Sequence, residues 1–225
     1  AQWHHRSDKQ VALDFLYDGK NYRLEANQFV LTAGQGNERI LQELGVDSPK
    51  MQCRPLQQVM IKHNYPHAFY GHCLGAETTP RLTISSHPCN DGERQVWYLG
   101  GTLAEKGANL SPEKVVANAK NELGKLMPWV DLSKAQWATL PVNRAEPKQL
   151  NFARPDKAFA SITKECPNVI VAWPTKLTLC PNLADEVIAL LDQQQITANS
   201  NPAPPLHFLS TPPIASTPWQ TAFGD

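Results

Sequence analysis

The sequence comprises 225 residues, of which 41% are hydrophobic and 19% are charged, which is enough apolar sequence for one large domain or two small ones. Lys plus Arg and Asp plus Glu each number 21, so the formal net charge is +0. Without a basic run, the composition argues against a nucleic-acid partner, and no apolar run approaches the roughly 18 residues that a membrane span requires.

The N-terminus and the cysteines bear on processing and location. The opening stretch AQWHHRSDKQ has neither an initiator Met nor the apolar core of a secretory signal. We therefore expect a processed chain or a piece of a longer protein. The cysteines are odd in number and lack C-x-x-C spacing, which favours reduced thiols and a cytoplasmic location. They are Cys53, Cys73, Cys89, Cys166 and Cys180.

Residues 11–45 predict a hairpin followed by a strand, a turn and a helix. Alternating apolar residues flank Asp18-Gly19, a dipeptide typical of two-residue hairpin loops. Residues 29–33 predict a buried strand. The segment after it has apolar residues at helical spacing and stops at Gly45.

Two glycines in the turn before that helix raise the question of a dinucleotide site. Gly34 and Gly36 fit the start of G-x-G-x-x-G, but Arg39 occupies the position where a small residue lets helix and strand pack closely. The motif also needs an acidic residue about 20 positions later, at the end of a second strand, and the sequence has a turn and a new strand there instead. On these residues alone, an ordinary strand-to-helix turn is the preferred interpretation.

Residues 46–195 predict mainly strands, with two further helices. Four short strand-like stretches over residues 53–102 indicate an antiparallel sheet. A helix follows, with Ser111 as its N-cap and Pro112 in its first turn. More strand-like stretches precede a last helix that begins near Pro181.

Together these elements predict an α+β fold with α/β edges. An antiparallel sheet with helices lies between two strand–turn–helix pieces, which are incomplete parts of a Rossmann-like nucleotide-binding domain. The C-terminal residues are rich in Pro, Ser and Thr without periodicity and predict an extended or disordered tail. The expected segments are 1–45 and 168–195 for the nucleotide-binding domain, 46–167 for the sheet domain and 196–225 for the tail.

Several stretches match one family in chain order. Thr32-Ala33-Gly34 is similar to a T-x-G or A-x-G turn that lies against the flavin nucleotide. RPLQQVMI, VWYLGGT and VNRAEP are similar to strands of a substrate sheet, and VIVAWPTKLTLCPNLADEV to a strand and helix that return to the flavin. Over residues 10–195 the chain thus resembles the C-terminal half or more of FAD-dependent oxidoreductases of the D-amino-acid oxidase and glycerol-3-phosphate dehydrogenase superfamily.

The resemblance implies FAD as the cofactor and contacts to it from two loops. The family's N-terminal G-x-G-x-x-G with its ribose-binding Glu is not in this sequence, so the Gly34 turn corresponds to a second dinucleotide contact. Where the family has a glycine-rich turn, this chain has WPTKLT. Lys176 and the dipole of the helix at Pro181 would stabilise negative charge on a reduced flavin, although Lys176 also fits a solvated loop residue. The implied cofactor residues are Thr32, Ala33, Gly34, Pro174, Thr175, Lys176, Leu177 and Thr178.

The resemblance also implies a small-molecule substrate and residues that hold it. Arg144 and Arg154 are candidates for a bidentate contact to a substrate carboxylate, with Tyr98 beside them. Glu146 lies two residues from Arg144 on the same strand face, so an internal ion pair is the competing account.

His72 and His87 are candidates for taking a substrate proton while hydride leaves for FAD, and each also fits a structural histidine. The expected reaction is oxidation of a C–N or C–O bond in a small amine, amino acid or hydroxy acid. The N-terminal nucleotide-binding segment is expected to be missing, and the oligomeric state is not predicted.

Two rival hypotheses remain. The first is a metal site in residues 63–89, where His63, His67, His72, Cys73, His87 and Cys89 are concentrated. Pro66 prevents the helix that His63 and His67 would need, and no C-x-x-C or H-E-x-x-H accompanies them. The second is a non-catalytic domain without cofactor. The sequence contains no G-x-S-x-G and no P-loop motif, so serine hydrolase and P-loop chemistry are set aside.

Overall fold

The computed structural model describes residues 1–77, 79–89, 92–148, 157–197, 206 and 208–224. Within these ranges the strands are β1 (Gln2–His5), β2 (Val11–Tyr17), β3 (Lys20–Leu24), β4 (Phe29–Leu31), β5 (Met51–His63), β6 (Gly71–Cys73), β7 (Leu82–Pro88), β8 (Gln95–Gly100), β9 (Gln136–Pro147), β10 (Phe159–Ile162) and β11 (Val169–Trp173). The helices are α1 (Gly36–Glu43), α2 (Thr102–Gly107), α3 (Pro112–Leu126), α4 (Cys180–Gln193) and α5 (Pro218–Phe223). This mixture of helices and largely antiparallel strands confirms the predicted α+β class.

The first of two units comprises residues 1–54 and 144–212. It contains an antiparallel sheet in the order β1-β2-β3 and a second sheet in the order β10-β11-β4. In the second sheet β11 pairs parallel to β4 and antiparallel to β10. The predicted strand at residues 29–33 and the predicted strand before Pro174 therefore lie side by side.

The predicted hairpin forms at the predicted turn. Asp18 and Gly19 have φ of 47° and 71°, as a type I′ loop between antiparallel strands requires. Asp14 and Arg23 face each other across the two strands and form a two-pronged ion pair. β1 was not predicted, because QWHH has no apolar alternation and becomes a strand by pairing with β2.

The core of the first unit lies between the β10-β11-β4 sheet and α1. β11 is buried along its whole length, as expected for a strand paired on both sides. Leu41 and Leu44 of the α1 region pack against it, and Gly45, at φ 67°, ends the helical turn as predicted. The buried cluster is Val11, Leu31, Leu41, Leu44, Val46, Met51, Cys166, Val169, Val171 and Trp173.

The second unit comprises residues 55–143 and 213–225. Its sheet has the order β6-β7-β8-β5-β9, in which β6, β7, β8 and β5 pair antiparallel. Residues alternate between two faces of this sheet. One face, with Val59, Ile61, Trp97 and Leu99, packs against α3. The other carries Met60, Val96 and Tyr98.

Helix α3 forms where local signals predict it. The Ser111 side chain accepts a hydrogen bond from the Lys114 backbone N–H, and Pro112 occupies the first turn. Val115, Ala119 and Leu123 form its buried stripe at helical spacing. α2, which precedes it, was not predicted.

The C-terminal segment corrects the expectation of a wholly extended tail. Residues 218–223 form α5, which begins with a capping box between Thr217 and Gln220 and ends at Gly224 with φ 70°. Earlier in the tail, the Phe208 ring stacks on Tyr22 of β3 at 4.5 Å. Low apolar content hid a short helix whose own capping signals were present in the sequence.

Two further properties concern the chain as described. In these residues we find no helix that combines the length and the apolar character needed to cross a bilayer. All five cysteines are free thiols, with Cys89 and Cys166 buried.

Candidate functional site

The turn after β4 is built around a buried asparagine. Asn37 Oδ1 accepts a hydrogen bond from the Ala33 backbone N–H at 2.9 Å. Its Nδ2 donates to the carbonyl oxygens of Leu31 at 3.3 Å and Ala172 at 3.2 Å. One side chain that is 0% exposed thus joins the turn to both β4 and β11. Gly34 has φ 58° and open space where a Cβ would stand, a conformation that favours glycine.

Trp173, the last residue of β11, contacts the same turn. Its indole Nε1 donates to the Gly34 carbonyl at 3.0 Å, and its ring is fully buried. The turn formed by Thr32, Ala33 and Gly34 and the start of the loop after β11 are therefore adjacent. These are two of the segments that the sequence analysis assigned to the cofactor.

The turn's backbone donors are largely used within the turn itself. The Ala33 N–H is held by Asn37, and the N–H groups of Gly36 and Asn37 donate to the carbonyls of Ala33 and Gly34. A primary dinucleotide loop instead points such groups at phosphate. The geometry is that of a structural strand-to-helix turn with an accessible glycine, in agreement with the incomplete motif.

The loop of residues 174–178 replaces the family's glycines with a threonine in the left-handed region. Thr175 has φ 61°, which is unusual for a β-branched residue. Its Oγ1 lies within hydrogen-bonding distance of the carbonyl oxygens of Pro174 at 2.6 Å and Lys157 at 2.9 Å. The Lys176 N–H also donates to the Pro174 carbonyl, at 2.6 Å. These contacts stabilise a tight turn whose conformation at position 175 would otherwise favour glycine.

The same loop continues into α4 through a short 3-10 turn at Leu177–Leu179. Lys176 is half-buried and Thr178 is exposed. Leu177 is 87% exposed, an unusual surface position for a large apolar side chain in a loop. Residues 174–178 therefore lie before the N-terminal, positive end of the α4 dipole, where negative charge is favoured.

The carboxylate of Glu146 has a different set of partners from the one that the sequence suggested. It is 2% exposed, accepts a hydrogen bond from Gln52 Nε2 at 2.7 Å, and forms an ion pair with Arg54. The alternative that the sequence offered was an ion pair between Glu146 and Arg144. Arg144 is half-buried on β9, and Arg154 lies outside the described residues.

In the second unit, the candidate histidines and Tyr98 lie on one face of the sheet. Tyr98 is paired with Ser85, and His72 with Thr83. Because Thr83, Ser85 and His87 alternate along β7, all of these side chains point away from α3. His72 is exposed on the edge strand, whereas His87 and Tyr98 are half-buried.

Trp219 of α5 covers part of this face. Its ring stacks on His87 at 4.3 Å and lies edge-on to Tyr98 at 6.4 Å. His87 Nε2 is 3.0 Å from Ser85 Oγ. Burial lowers the pKa of His87 and raises the pKa of Tyr98, so both groups favour their neutral forms. A neutral imidazole can accept a proton.

The rival metal site is not assembled in the part of the chain that the structure describes. No group of three His, Cys, Asp or Glu side chains there could hold a metal ion. His63 is instead a core residue: its Nδ1 accepts from the Tyr65 N–H at 3.0 Å, and its ring lies edge-on to Trp97 at 4.4 Å. Burial lowers the pKa of His63 to about 4.

Two residues that organise these surfaces are not among the predicted site residues. Asn37 stands at the second position of α1, where a polar residue gives no sign of a buried role. Trp219 had a detectable signal, because Thr217-Pro218 followed by Gln220 is a capping-box pattern.

Comparisons with known proteins show which class of protein this chain is similar to. Over almost its whole length the chain is similar to a probable FAD-dependent oxidoreductase, which confirms the resemblance to FAD-dependent oxidoreductases seen in the sequence. One curated relative, a probable FAD-dependent oxidoreductase of Pseudomonas aeruginosa, is 47% identical over 207 residues, covering 92% of this chain and 51% of the relative. No protein-family model matches the sequence.

Solved structures agree with the fold. The crystal structure of the Pseudomonas aeruginosa oxidoreductase gives a TM-score of 0.82 at 44% identity, covering 97% of this chain and 58% of that one. Glycerol-3-phosphate dehydrogenase from Bacillus halodurans, solved with FAD, gives 0.50 at 12% identity, covering 89% of this chain and 39% of that one. Iminodiacetate oxidase from Chelativorans sp. BNC1 gives 0.50 at 14% identity, covering 85% and 48%.

Each comparison covers most of this chain but a much smaller share of the other protein. The chain spans about half the length of the curated relative that it matches. The two distant structures share the fold alone with this chain.

Proposed function

We propose that the protein takes part in FAD-dependent oxidation of a C–N or C–O bond in a small amine, amino acid or hydroxy acid. FAD, when bound, supplies the acceptor for the hydride that leaves the substrate carbon. The protein removes the substrate's N–H or O–H proton, so that the bond becomes C=N or C=O. Identity of 47% to a probable FAD-dependent oxidoreductase supports this reaction class.

The observation that carries the proposal is the junction between Trp173 and Gly34. It brings the end of β4 and the end of β11 together, and these are the two segments that would contact the flavin nucleotide. Gly34 leaves open space at that surface, so a planar group can approach the backbone closely. The residues present therefore fit a secondary contact to FAD.

The main phosphate contacts need a different loop. The internal use of the Ala33, Gly36 and Asn37 N–H groups leaves the turn poor in donors for a pyrophosphate. We propose that a glycine-rich loop outside these 225 residues binds the pyrophosphate and completes the site. The chain alone is then expected to bind FAD weakly and to be inactive.

Specific residues have proposed roles. Lys176 and the positive end of α4 stabilise negative charge in the flavin region. Arg144 and Arg154 hold a substrate carboxylate through the planar guanidinium fork. His87, whose neutral form burial favours, accepts the substrate proton, with Tyr98 on the same sheet face orienting the substrate. His72, exposed at the edge of that face, is the alternative proton acceptor.

Anaerobic reduction of the flavin in the native protein tests the proposal. We expect stoichiometric FAD in protein isolated from its own cells, and bleaching of the oxidised flavin by an amine, amino acid or hydroxy acid. His87→Gln should slow bleaching by about 10²- to 10⁴-fold, the usual contribution of a general base. His5→Gln, an exposed histidine on β1, is the matched control. Native protein without flavin would instead favour the non-catalytic alternative.

A further inference from the structure

Helix α5 lies on the sheet face that carries His87 and Tyr98. Trp219 and Phe223 are about one helical turn apart, so their side chains project from the same side of α5. Both side chains pack against a small buried cluster of the second unit. The cluster consists of Met60, Cys89 and Val96. The helix therefore covers buried apolar residues together with two candidate site residues.

The packing of α5 on the sheet is limited. The helix has six residues, and none of these six is buried. Because isolated helices of this length are unstable in water, α5 depends on its contacts with the sheet. The preceding residues 213–216 are exposed at every position and form neither helix nor strand. Ile214 among them is 99% exposed. Segments with so few buried contacts are the ones that open locally at a low cost in free energy.

The ends of α5 are capped within the helix itself. The Thr217 N–H donates to Gln220 Oε1 at 2.7 Å, and the Gln220 N–H donates to Thr217 Oγ1 at 3.3 Å. At the other end, the Gly224 N–H donates to the Gln220 carbonyl at 3.0 Å. All of these bonds lie within residues 217–224, so the helix can leave the sheet as one piece without breaking them.

His87 is partly enclosed while α5 is in place. The Trp219 ring lies over the imidazole with 4.3 Å between ring centroids and 25° between ring planes. Ser85 Oγ is 3.0 Å from His87 Nε2. One ring face and one ring nitrogen are thus already in contact with protein groups, whereas a proton donor has to come within roughly 2.6–3.2 Å of a ring nitrogen. Displacement of α5 would uncover His87 and Tyr98 together.

We propose that α5 is a gate over this face, closed in this structure and displaced as one piece when a small molecule reaches His87. Opening exposes apolar surface beneath Trp219 and Phe223 to water, so the closed form is the more stable one. Binding at the face is then weakened in proportion to the small fraction of open molecules. The role of the gate in admitting substrate rests on the proposed function, whereas the opening of α5 does not.

Carbethoxylation of His87 by diethyl pyrocarbonate tests the gate in the full chain without flavin or substrate. Mass spectrometry gives the rate at each histidine. Phe223→Ala is the informative variant, because Trp219, and not Phe223, is the α5 residue that stacks on His87. If α5 opens as one piece, Phe223→Ala should raise the rate at His87 by about tenfold, the effect of about 1.4 kcal/mol. The rate at His5, exposed on β1, should not change.

Ala222→Ser, an exposed substitution on α5, is the matched control and should change the rate at His87 by less than about twofold. A second measurement uses the unsubstituted chain, in case Phe223→Ala fails to fold. Alkylation of the buried Cys89 by iodoacetamide should depend much less on urea than global unfolding does, because local opening exposes little surface.

Two results would overturn the gate. One is an equal rate at His87 in Phe223→Ala and Ala222→Ser. The other is a urea dependence of Cys89 alkylation as steep as that of global unfolding. Neither result concerns the flavin content of the native protein, so failure of the gate and failure of the proposed function can be told apart.

Discussion

Asn37 is the residue on which the geometry of the β4–α1 turn depends most directly. Its side chain makes three hydrogen bonds to backbone groups of the turn and of two strands. Because the amide is fully buried, water cannot replace these bonds when the side chain is removed.

We expect Asn37→Leu to lower the free energy of unfolding by about 3 kcal/mol, because buried backbone groups lose their partners. Gln42→Ala, an exposed amide on the same helix, is the control and should change stability by less than about 0.5 kcal/mol. Urea denaturation of both variants measures the difference. Equal effects of the two substitutions would show that Asn37 does not organise the turn.

Thr175 holds the left-handed conformation at φ 61° with its hydroxyl. Thr175→Ala removes the hydroxyl contacts and keeps a Cβ, so the strain stays. Thr175→Gly removes the contacts but also the strain, which costs roughly 1–2 kcal/mol for a residue with a Cβ. We therefore expect the glycine variant to be about 1 kcal/mol more stable than the alanine variant in thermal or urea unfolding. The reverse order would contradict this account of the loop.

His63 should make stability depend on pH. Its pKa is about 4 in the folded protein against an ordinary value of 6.5, so the unfolded chain binds a proton in this range while the folded chain does not. The contribution of the neutral His63 to the free energy of unfolding is fully present above pH 6.5. It is lost as the pH falls to about 4, and the total loss is about 3 kcal/mol. We expect His63→Gln to flatten the fall in unfolding free energy between these values relative to His5→Gln. Parallel pH profiles would contradict the buried neutral histidine.

At the scale of elements, helix α5 is the feature that most changes the view of the second unit. It places Trp219 on His87, while Phe223 and Trp219 pack beside Met60 and Val96. A segment whose composition predicted an extended chain thus covers part of the face with the candidate catalytic residues.

We expect Trp219→Ala to raise the pKa of His87 toward its ordinary value, because burial is what lowers it. Ala222→Ser, an exposed substitution on the same helix, should leave the pKa unchanged. A pH titration of the histidine ring signals by NMR, with His87 assigned from His87→Gln, gives both values. An unchanged pKa in Trp219→Ala would mean that α5 does not shield this histidine.

Elements with local signals were predictable, and long-range pairings were less so. The Asp18-Gly19 hairpin and the Ser111-Pro112 helix start carry their geometry in adjacent residues. β1 has no such signal and exists through its pairing with β2. The partner of Glu146 was also hidden, because which residue faces it across the chain depends on strand register. The joint position of Gly34 and Trp173 came from the family resemblance.

At the scale of the whole molecule, the chain spans about half the length of the curated relative that it matches. The match covers 92% of this chain and 51% of that relative. In the turn at Gly34, the N–H groups of Ala33, Gly36 and Asn37 are used within the turn. The proposed roles of Lys176, Arg144, Arg154, His72, His87 and Tyr98 all depend on bound FAD. These roles stay predictions from the resemblance and the local geometry.

The most direct test of the central claim is the flavin content of the protein purified from its native cells. We expect one FAD per chain, released by denaturation, together with weak FAD binding by the isolated 225-residue chain. Both results follow if this chain supplies secondary contacts to a flavin whose pyrophosphate is held elsewhere. Native protein that contains no flavin, or tight stoichiometric FAD binding by the 225 residues alone, would contradict that account.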